Sequence, residues 1–438
     1  MDFAHSPRAQ DLRQRLDDFM QRYVLPYNPA WHRSVQDGVY PPPFLEDLKA
    51  LAREEGLWNL FLPTLGVDEP GTRLSNLDYA PLAEVMGRLH WAPEVFNCSA
   101  PDTGNMELLH RFATPAQRTQ WLAPLLNGEI RSAFAMSEPD VASSDPTNLQ
   151  TTVRRDGDQL VLNGRKWFIT GVAHPQCRLL IVMCRNANGT DNGAVEEGVD
   201  AGAHHQHSMV LVPLDTPGVQ VVRNIAVVHH QSPEGHCEIV LRDVHVSADH
   251  LLGTWGAGFA MAQARLGPGR VHHCMRAIGQ CELALQLATE RTLERQAFGK
   301  YLSDFSNVQE WIAESRIEID QARLLVLQVA WMLDQKPGVV EPGALRAQVA
   351  AIKVVAARLQ SRVVDRAMQV FGAMGLSPDT PLAYFWTWGR ALHLMDGPDE
   401  VHLRTVARHE LAQGRARAGA TAAYFTTPEQ LQALPRIR

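Results

Sequence analysis

The hydrophobic period changes twice along this chain, and that change bounds the folds open to it. From about residue 8 to residue 130, apolar residues recur at helical spacing, as in DLRQRLDDFMQRYV and PPPFLEDLKALAREEG, with Pro or Gly punctuating the ends. Thr114-Pro115-Ala116-Gln117 reads as a helix start: a capping hydroxyl, then proline at the first helical position. The middle stretch switches to short runs rich in Val, Ile and Leu. These are GDQLVLNG, RLLIVMC, SMVLVPL, VQVVRNIAVV and CEIVLRDVHV, separated by Gly, Pro and Asp. Such strands at short intervals predict a small antiparallel barrel or sandwich.

Helical texture returns from about residue 257. In ALRAQVAAIKVVAARLQSRVVDRAMQVFG, the residues Val349, Ile352, Ala356, Leu359, Val363, Ala367 and Val370 form one stripe along a helix that stops near Gly372. NVQEWIAESRIEIDQARLLVLQVAWMLDQKPG reads as a second long helix ended by Pro337-Gly338. The expected fold class is α+β: an N-terminal helical domain over residues 1–130, a middle β-barrel domain over 131–250 and a C-terminal helical-bundle domain over 251–438.

Composition removes several function classes. The 438 residues are 45% hydrophobic, enough for a large core, yet no apolar run approaches the roughly 20 residues that cross a bilayer. Early acids at Asp2, Asp11, Asp17 and Asp18 argue against a transit peptide, so a soluble, cytoplasmic protein is expected. A net charge of −7 disfavours nucleic acid as a general partner. The six cysteines are scattered without a C-x-x-C pair and read as buried free thiols. NANGTDNGAVEEGVDAGAHHQH lacks periodicity and reads as a mobile surface loop spanning much of 186–207.

Three segments carry chemistry. FAMSEPDVASSD, from Phe134 to Asp145, offers the hydroxyls of Ser137, Ser143 and Ser144 around a turn that suits a heterocycle edge or a phosphate. Taken alone, it is as well read as a simple turn. In LNGRKWFITG, Gly164 fits a hairpin turn, and Trp167, Phe168 and Ile169 lead to Thr170 as an aromatic strand, either a ring wall or core. LHLMDGPDEVH gathers Asp396, Asp399 and Glu400 with His393 and His402 around a Gly-Pro break. His272 and His273 are adjacent on a helix and point about 100° apart, so no metal site is expected there. GTWGAG lacks the strand–turn–helix context of a dinucleotide fingerprint.

FAMSEPDVASSD followed by LNGRKWFIT resembles the flavin-binding signature of the acyl-CoA dehydrogenases, and RLGPGRVHHCMRAIG, RQAFGKYL, DRAMQVFGAMG and LMDGPDEVHLRTVAR follow in that family's order. The resemblance runs from about residue 15 to 415 and, through GPGRVHHCMR with DGPDEVH, is nearest the branch that includes kinase-fused members. It implies FAD as cofactor, acyl-CoA as substrate, fatty acid metabolism, an electron-transfer flavoprotein as acceptor, and a homodimer or homotetramer. It places Phe134, Met136, Ser137 and Ser144 against the flavin or its phosphates, and Phe168, Ile169 and Thr170 at the isoalloxazine face. Arg295 and Phe298 would hold the FAD of a neighbouring subunit, Gln369 and Gly372 would cover its adenosine end, and Pro398, Asp399 and Glu400 would form the turn near FAD.

Ser144, Arg270 and Gly397 match substrate-side positions. Arg270 is expected either to assist the CoA phosphate or to orient the loop. The residue preceding the glycine of the C-terminal loop, commonly a glutamate base, is here Asp396. Burial is expected to raise its pKa toward working pH. Asp399 and Glu400 have a plainer reading as acids at a helix start. The sequence departs from the family pattern at Phe168, where tryptophan is common, at Ala373 and Ser306, and throughout AVVHHQSPEGHCEI. The implied reaction is alpha-proton abstraction with beta-hydride transfer to give a trans-2-enoyl-CoA. Two further readings are a nitroalkane-oxidase-like flavoenzyme, which also uses an aspartate base, and a non-catalytic flavoprotein scaffold.

Overall fold

The computed structural model describes residues 4–187, 206–336, 338–425 and 427. Most of the expected mobile loop and the expected helix-stopping Pro337 lie outside the described residues. The N-terminal part contains helices α1 (Pro7–Phe19), α2 (Phe44–Glu54), α3 (Asn76–Gly87) and α4 (Asp102–Phe112). The start at Thr114 is a full capping box: Gln117 N donates to Thr114 Oγ1 at 3.2 Å, and Thr114 N donates to Gln117 Oε1 at 3.0 Å. The Gln117 amide then donates to the Asp249 and Leu251 carbonyls, at 2.7 and 2.9 Å, tying these helices to the end of the sheet.

The middle region forms β1 (Arg131–Ala135), β2 (Thr152–Asp156), β3 (Gln159–Thr170), β4 (Cys177–Asn186), β5 (His207–Pro213), β6 (Val219–Asn224), β7 (His236–Ser247) and β8 (Leu251–Leu252). They hydrogen-bond in the order β6-β7-β3-β2-β4-β5-β8, and β1 also pairs with β4. The sheet is mixed, which corrects the antiparallel expectation. Both β1 and β2 run parallel to β4, because the chain folds the β2–β3 hairpin before returning beside them. Gly164 is also corrected. It lies inside β3 at a shift of register, and a Cβ there would stand 2.4 Å from Thr151 Oγ1. The hairpin turn sits instead at Gly157, whose φ is 61°.

The C-terminal region contains α5 (Gly258–Glu294), α6 (Ser306–Leu333), α7 (Pro342–Phe371), α8 (Leu382–Leu392) and α9 (Asp399–Ala416). Every residue of the expected stripe on α7 is buried, and the helix stops at Gly372, whose φ is 61°. Gly279 lets α5 lie directly on α3, since a Cβ there would come within 1.9 Å of the Glu84 carbonyl oxygen. That contact fixes α5, the helix carrying Arg265, Arg270 and His273, against the N-terminal helices. All six cysteines are buried and unpaired. No described helix is long and apolar enough to cross a membrane.

Candidate active site

The loop after β1 is shaped by a buried ion pair. Lys166, fully enclosed on β3, donates from Nζ to Glu138 Oε1 at 2.8 Å and to the Met136 carbonyl at 2.9 Å. Glu138 also accepts from the Gln150 and Thr151 amides at 2.7 and 2.9 Å, and Ser143 Oγ accepts from Glu138 N at 2.9 Å. A buried ammonium without such partners would cost several kcal/mol, so the Lys166 contacts hold this loop against β3. Trp167 N donates to the Ser137 carbonyl at 3.0 Å, which joins FAMSEP to the end of β3. The sequence motifs around Ser137 and Thr170 are therefore neighbours, with Ser144 exposed on the loop and Ile169 buried in the sheet.

Asp396 sits on the turn between α8 and α9 with a left-handed backbone, φ 55°, followed by Gly397 at 103°. Phe168 and Phe298 share that conformation, at φ 52° and 53°. Non-glycine residues held there cost about 1–3 kcal/mol each and collect at functional sites. Arg270 Nε, from α5, donates to the Asp396 carbonyl at 2.9 Å and ties the turn to that helix. His273 Nε2, one turn further along α5, lies 3.4 Å from Asp396 Oδ2. A Cβ at Gly267 or Gly269 would meet nothing within 4 Å, so the Gly-Pro-Gly segment of α5 borders open space next to Arg270.

The electrostatics overturn one expectation. Burial pushes the Asp396 carboxyl upward, but His273, Arg265, Arg270 and Lys353 together hold it below its ordinary value. Burial lowers His273 to about 3, helped by Arg276, and lowers His402 to about 4, helped by Arg270 and Lys353, so both rings are neutral near pH 7.

Sequence reasoning missed Arg265 and Lys353. Arg265 Nε donates to Asn105 Oδ1 at 2.9 Å, and its guanidinium lies 4.1 Å over the Phe134 ring. Phe134 is thus shared between the β1 loop and α5. Lys353 is fully enclosed on α7, four residues after Val349 and three before Ala356 of the buried stripe, and its Nζ donates to the Leu392 carbonyl. Neither residue's link to Asp396 carries a local sequence signal, because each meets Asp396 across the fold.

The remaining predicted residues divide. Asp399 and Glu400 occupy the first turn of α9, as the dipole reading expects, and Asp399 Oδ2 accepts from His393 Nδ1 at 2.7 Å. Pro398 caps that helix. Arg295, Phe298, Gln369 and Gly372 are exposed at the surface instead, Phe298 by 97%, on a two-strand ribbon of Gln296–Ala297 with Lys300–Tyr301.

The residues present fit a flavin. Phe168 is 43% exposed at a register break of β3, an aromatic face that a flat ring system would cover. Beside it, Thr170 Oγ1 lies 3.0 Å from His236 Nδ1, while the buried His236 Nε2 has no partner among the described residues.

Comparison with known proteins agrees with this geometry. The N-terminal, middle and C-terminal domains of acyl-CoA dehydrogenase match residues 6–129, 133–244 and 256–411. Probable acyl-CoA dehydrogenase FadE2 of Mycobacterium tuberculosis is 52% identical over 421 residues, covering 95% of this chain and 98% of that protein. Acyl-CoA dehydrogenase family member 11 of Gallus gallus is 44% identical over 93% of this chain, which spans 51% of that longer protein. A putative acyl-CoA dehydrogenase from Mycobacterium abscessus superposes with a TM-score of 0.86 at 47% identity, covering 94% of this chain and 99% of that one. The chain belongs to the acyl-CoA dehydrogenase family.

Proposed function

We propose that this protein is an FAD-dependent acyl-CoA dehydrogenase in which Asp396 removes the proton alpha to the thioester, giving a trans-2-enoyl-CoA. The observation that carries the reading is the Asp396 carboxylate itself. It is held anionic on a strained turn that Arg270 ties to α5, beside the open Gly-Pro-Gly segment. Aspartate is one methylene shorter than the commoner glutamate. The Arg270 bond to its carbonyl draws the turn toward α5 and offsets part of that difference. This supports the loop-orienting role for Arg270 over phosphate binding. Gly397 leaves room next to His402, whose Nε2 would be 3.0 Å from a Cβ at that position.

When bound, FAD supplies the acceptor for the beta hydride. The β1 loop, fixed by Glu138 and Lys166, would present Met136, Ser137 and Ser144 to it, while Phe168 and Thr170 would back its ring system. Ser144 would also touch the CoA substrate. Arg295, Phe298, Gln369 and Gly372, all exposed, suit the cofactor of a second copy. A guanidinium matches a diphosphate because its fork of donors binds two oxygens together. The active species is therefore a homodimer or homotetramer, working in the cytoplasm on fatty acyl chains and passing electrons to an electron-transfer flavoprotein.

Anaerobic titration of the flavin-loaded protein with a panel of acyl-CoAs tests this, read by flavin absorbance beside Asp396→Asn. Bleaching in the parent and its loss in the variant is the expected result. A parent that no thioester bleaches, but that consumes oxygen with nitroethane, would replace it with the nitroalkane reading. Inertness toward both substrate classes would leave a scaffold.

A further inference from the structure

The His272-His273 pair, singled out in sequence and set aside as a metal site, splits into two environments. His272 turns into the core, its ring centroid 4.9 Å from that of Tyr79 and 6.1 Å from that of Phe61. His273 turns the other way, with Nε2 3.4 Å from Asp396 Oδ2 and Nδ1 3.1 Å from Arg276 Nη2.

The second contact determines the first. A guanidinium has only donors, so His273 Nδ1 must accept from Arg276. A neutral imidazole carries one proton, which is thereby left on Nε2, the nitrogen that faces the carboxylate. A cationic ring would set a second N–H against the Arg276 donor, and burial with Arg276 lowers His273 to about 3.

We infer that His273, locked in its Nε2–H tautomer by Arg276, is a positioning residue that aims the Asp396 carboxylate and keeps it ionised. The inference rests on the reading of Asp396 as the base. His273 is not a proton relay, because the nitrogen that faces Asp396 is already protonated. The proton that Asp396 collects must leave by another route.

Other groups bear on the same carboxylate. Arg265 and Arg270 face it from α5, Lys353 from α7, and His402 approaches its backbone from α9. Arg276, Lys353 and Arg265 are the cations around His273. To the three cations His273 adds a short-range dipole: its Nε2–H lies 3.4 Å from Asp396 Oδ2 and favours the charged form of the carboxyl.

The test compares His273→Phe, His273→Gln and Arg276→Met by pH-jump stopped flow, using an acyl-CoA that bleaches the parent. In His273→Phe the acid limb of bleaching should move up by about one pH unit. The loss at pH 4.5 would then exceed that at pH 7, with half-saturation little changed. His273→Gln, whose amide can donate, should return the limb toward the parent, and Arg276→Met should shift it part of the way. A loss in His273→Phe that is equal at every pH overturns the inference.

Nitrogen NMR of histidine-labelled protein gives a readout independent of turnover. The resonances that vanish in His273→Gln should report the Nε2–H tautomer and should not titrate between pH 5 and 8. An Nδ1–H tautomer, or titration in that range, overturns the inference even where His273→Phe fails to fold. Undiminished bleaching in Asp396→Asn would instead refute the base assignment and, with it, the positioning role of His273, whatever tautomer the NMR shows.

Discussion

Two buried charge clusters in this molecule use the same residue types and differ in their balance. Where the N-terminal helices meet the sheet, Lys49 and Arg131 lie 3.0 and 3.4 Å from Glu94, and Arg131 lies 2.6 Å from Asp102. Two cations answer two buried carboxylates, a half-exposed third, Glu46, lies 2.8 Å from Lys49, and Asp102 also accepts from Ser132 N at 2.7 Å. The field cancels within the cluster, and what remains is geometry. At Asp396, Arg265, Arg270 and Lys353 bear on a single carboxylate, while Asp102 acts more weakly on Arg265 and Asp399 on Lys353. The positive charge around Asp396 outweighs burial and holds it ionised. A balanced cluster stiffens a junction, whereas an unbalanced one can act on a ligand.

Neutralising each cluster should therefore fail in a different currency. Asp396→Asn should lower the rate of flavin bleaching by about 10²–10⁴-fold, the span of a general base. Its stability should also fall, because a carboxyl held below its ordinary value stabilises the fold at pH 7, but by less than in Glu94→Ala. Glu94→Ala should weigh mainly on the fold, costing about 3–5 kcal/mol of stability because it removes the buried carboxylate that Lys49 and Arg131 share, leaving only Glu46 to the one and Asp102 to the other. Denaturant unfolding and stopped-flow bleaching on both variants check the pair. A large stability loss in Asp396→Asn would erase the distinction. Arg270→Gln should have a smaller effect, about 10-fold in bleaching rate, since it releases the Asp396 turn without removing the base.

The depressed Asp396 carboxyl gives a further contrast. A carboxyl held below its ordinary value stays ionised as the pH falls, so kcat/KM should be flat from pH 7 to pH 5. Its acid limb should lie below the ordinary aspartate value of about 3.9. A limb near 6 would show that the cations do not outweigh burial.

Local pattern made much of this legible. The α7 stripe, the Thr114 cap and the Val-, Ile- and Leu-rich runs of β3 to β7 are properties of neighbouring residues, and each appears in the structure near its expected place. Asp396 was found through a motif and not through physics, since nothing in LHLMDGPDEVH alone separates it from Asp399. What escaped were relations across the fold. Lys353 sits between Ile352 and Val354 on a helix, and only the path of the chain after α8 shows that the Leu392 carbonyl meets it. The parallel pairing of β1 with β4 joins residues more than forty positions apart, as in Ala133 with Leu180, so no hairpin signal announces it. The sign of the Asp396 shift depends on four side chains from two helices, none adjacent to it in sequence.

Glu107 offers the finest test of the comparison. It lies on α4, near Arg111 and Arg265, and could serve as a second carboxylate for the unbalanced cluster. Burial raises it from 4.5 to about 7 against the pull of those two arginines, so it withholds its charge below neutrality. The folded state binds this proton more tightly than the unfolded chain does. Stability should therefore fall as the pH rises from about 4.5 to about 7, and Glu107 should cost nothing below that window. Glu107→Gln removes the cost, so its melting temperature should exceed the parent's by about 1–3 °C at pH 8 and match it at pH 4. The charge that appears on Glu107 above pH 7 also partly answers Arg265. The parent's bleaching rate should then decline gently from pH 7 to pH 9, and Glu107→Gln should flatten that decline. A variant that is more stable at pH 8 but keeps the alkaline decline would show that the surplus charge does not act on the reaction through Arg265.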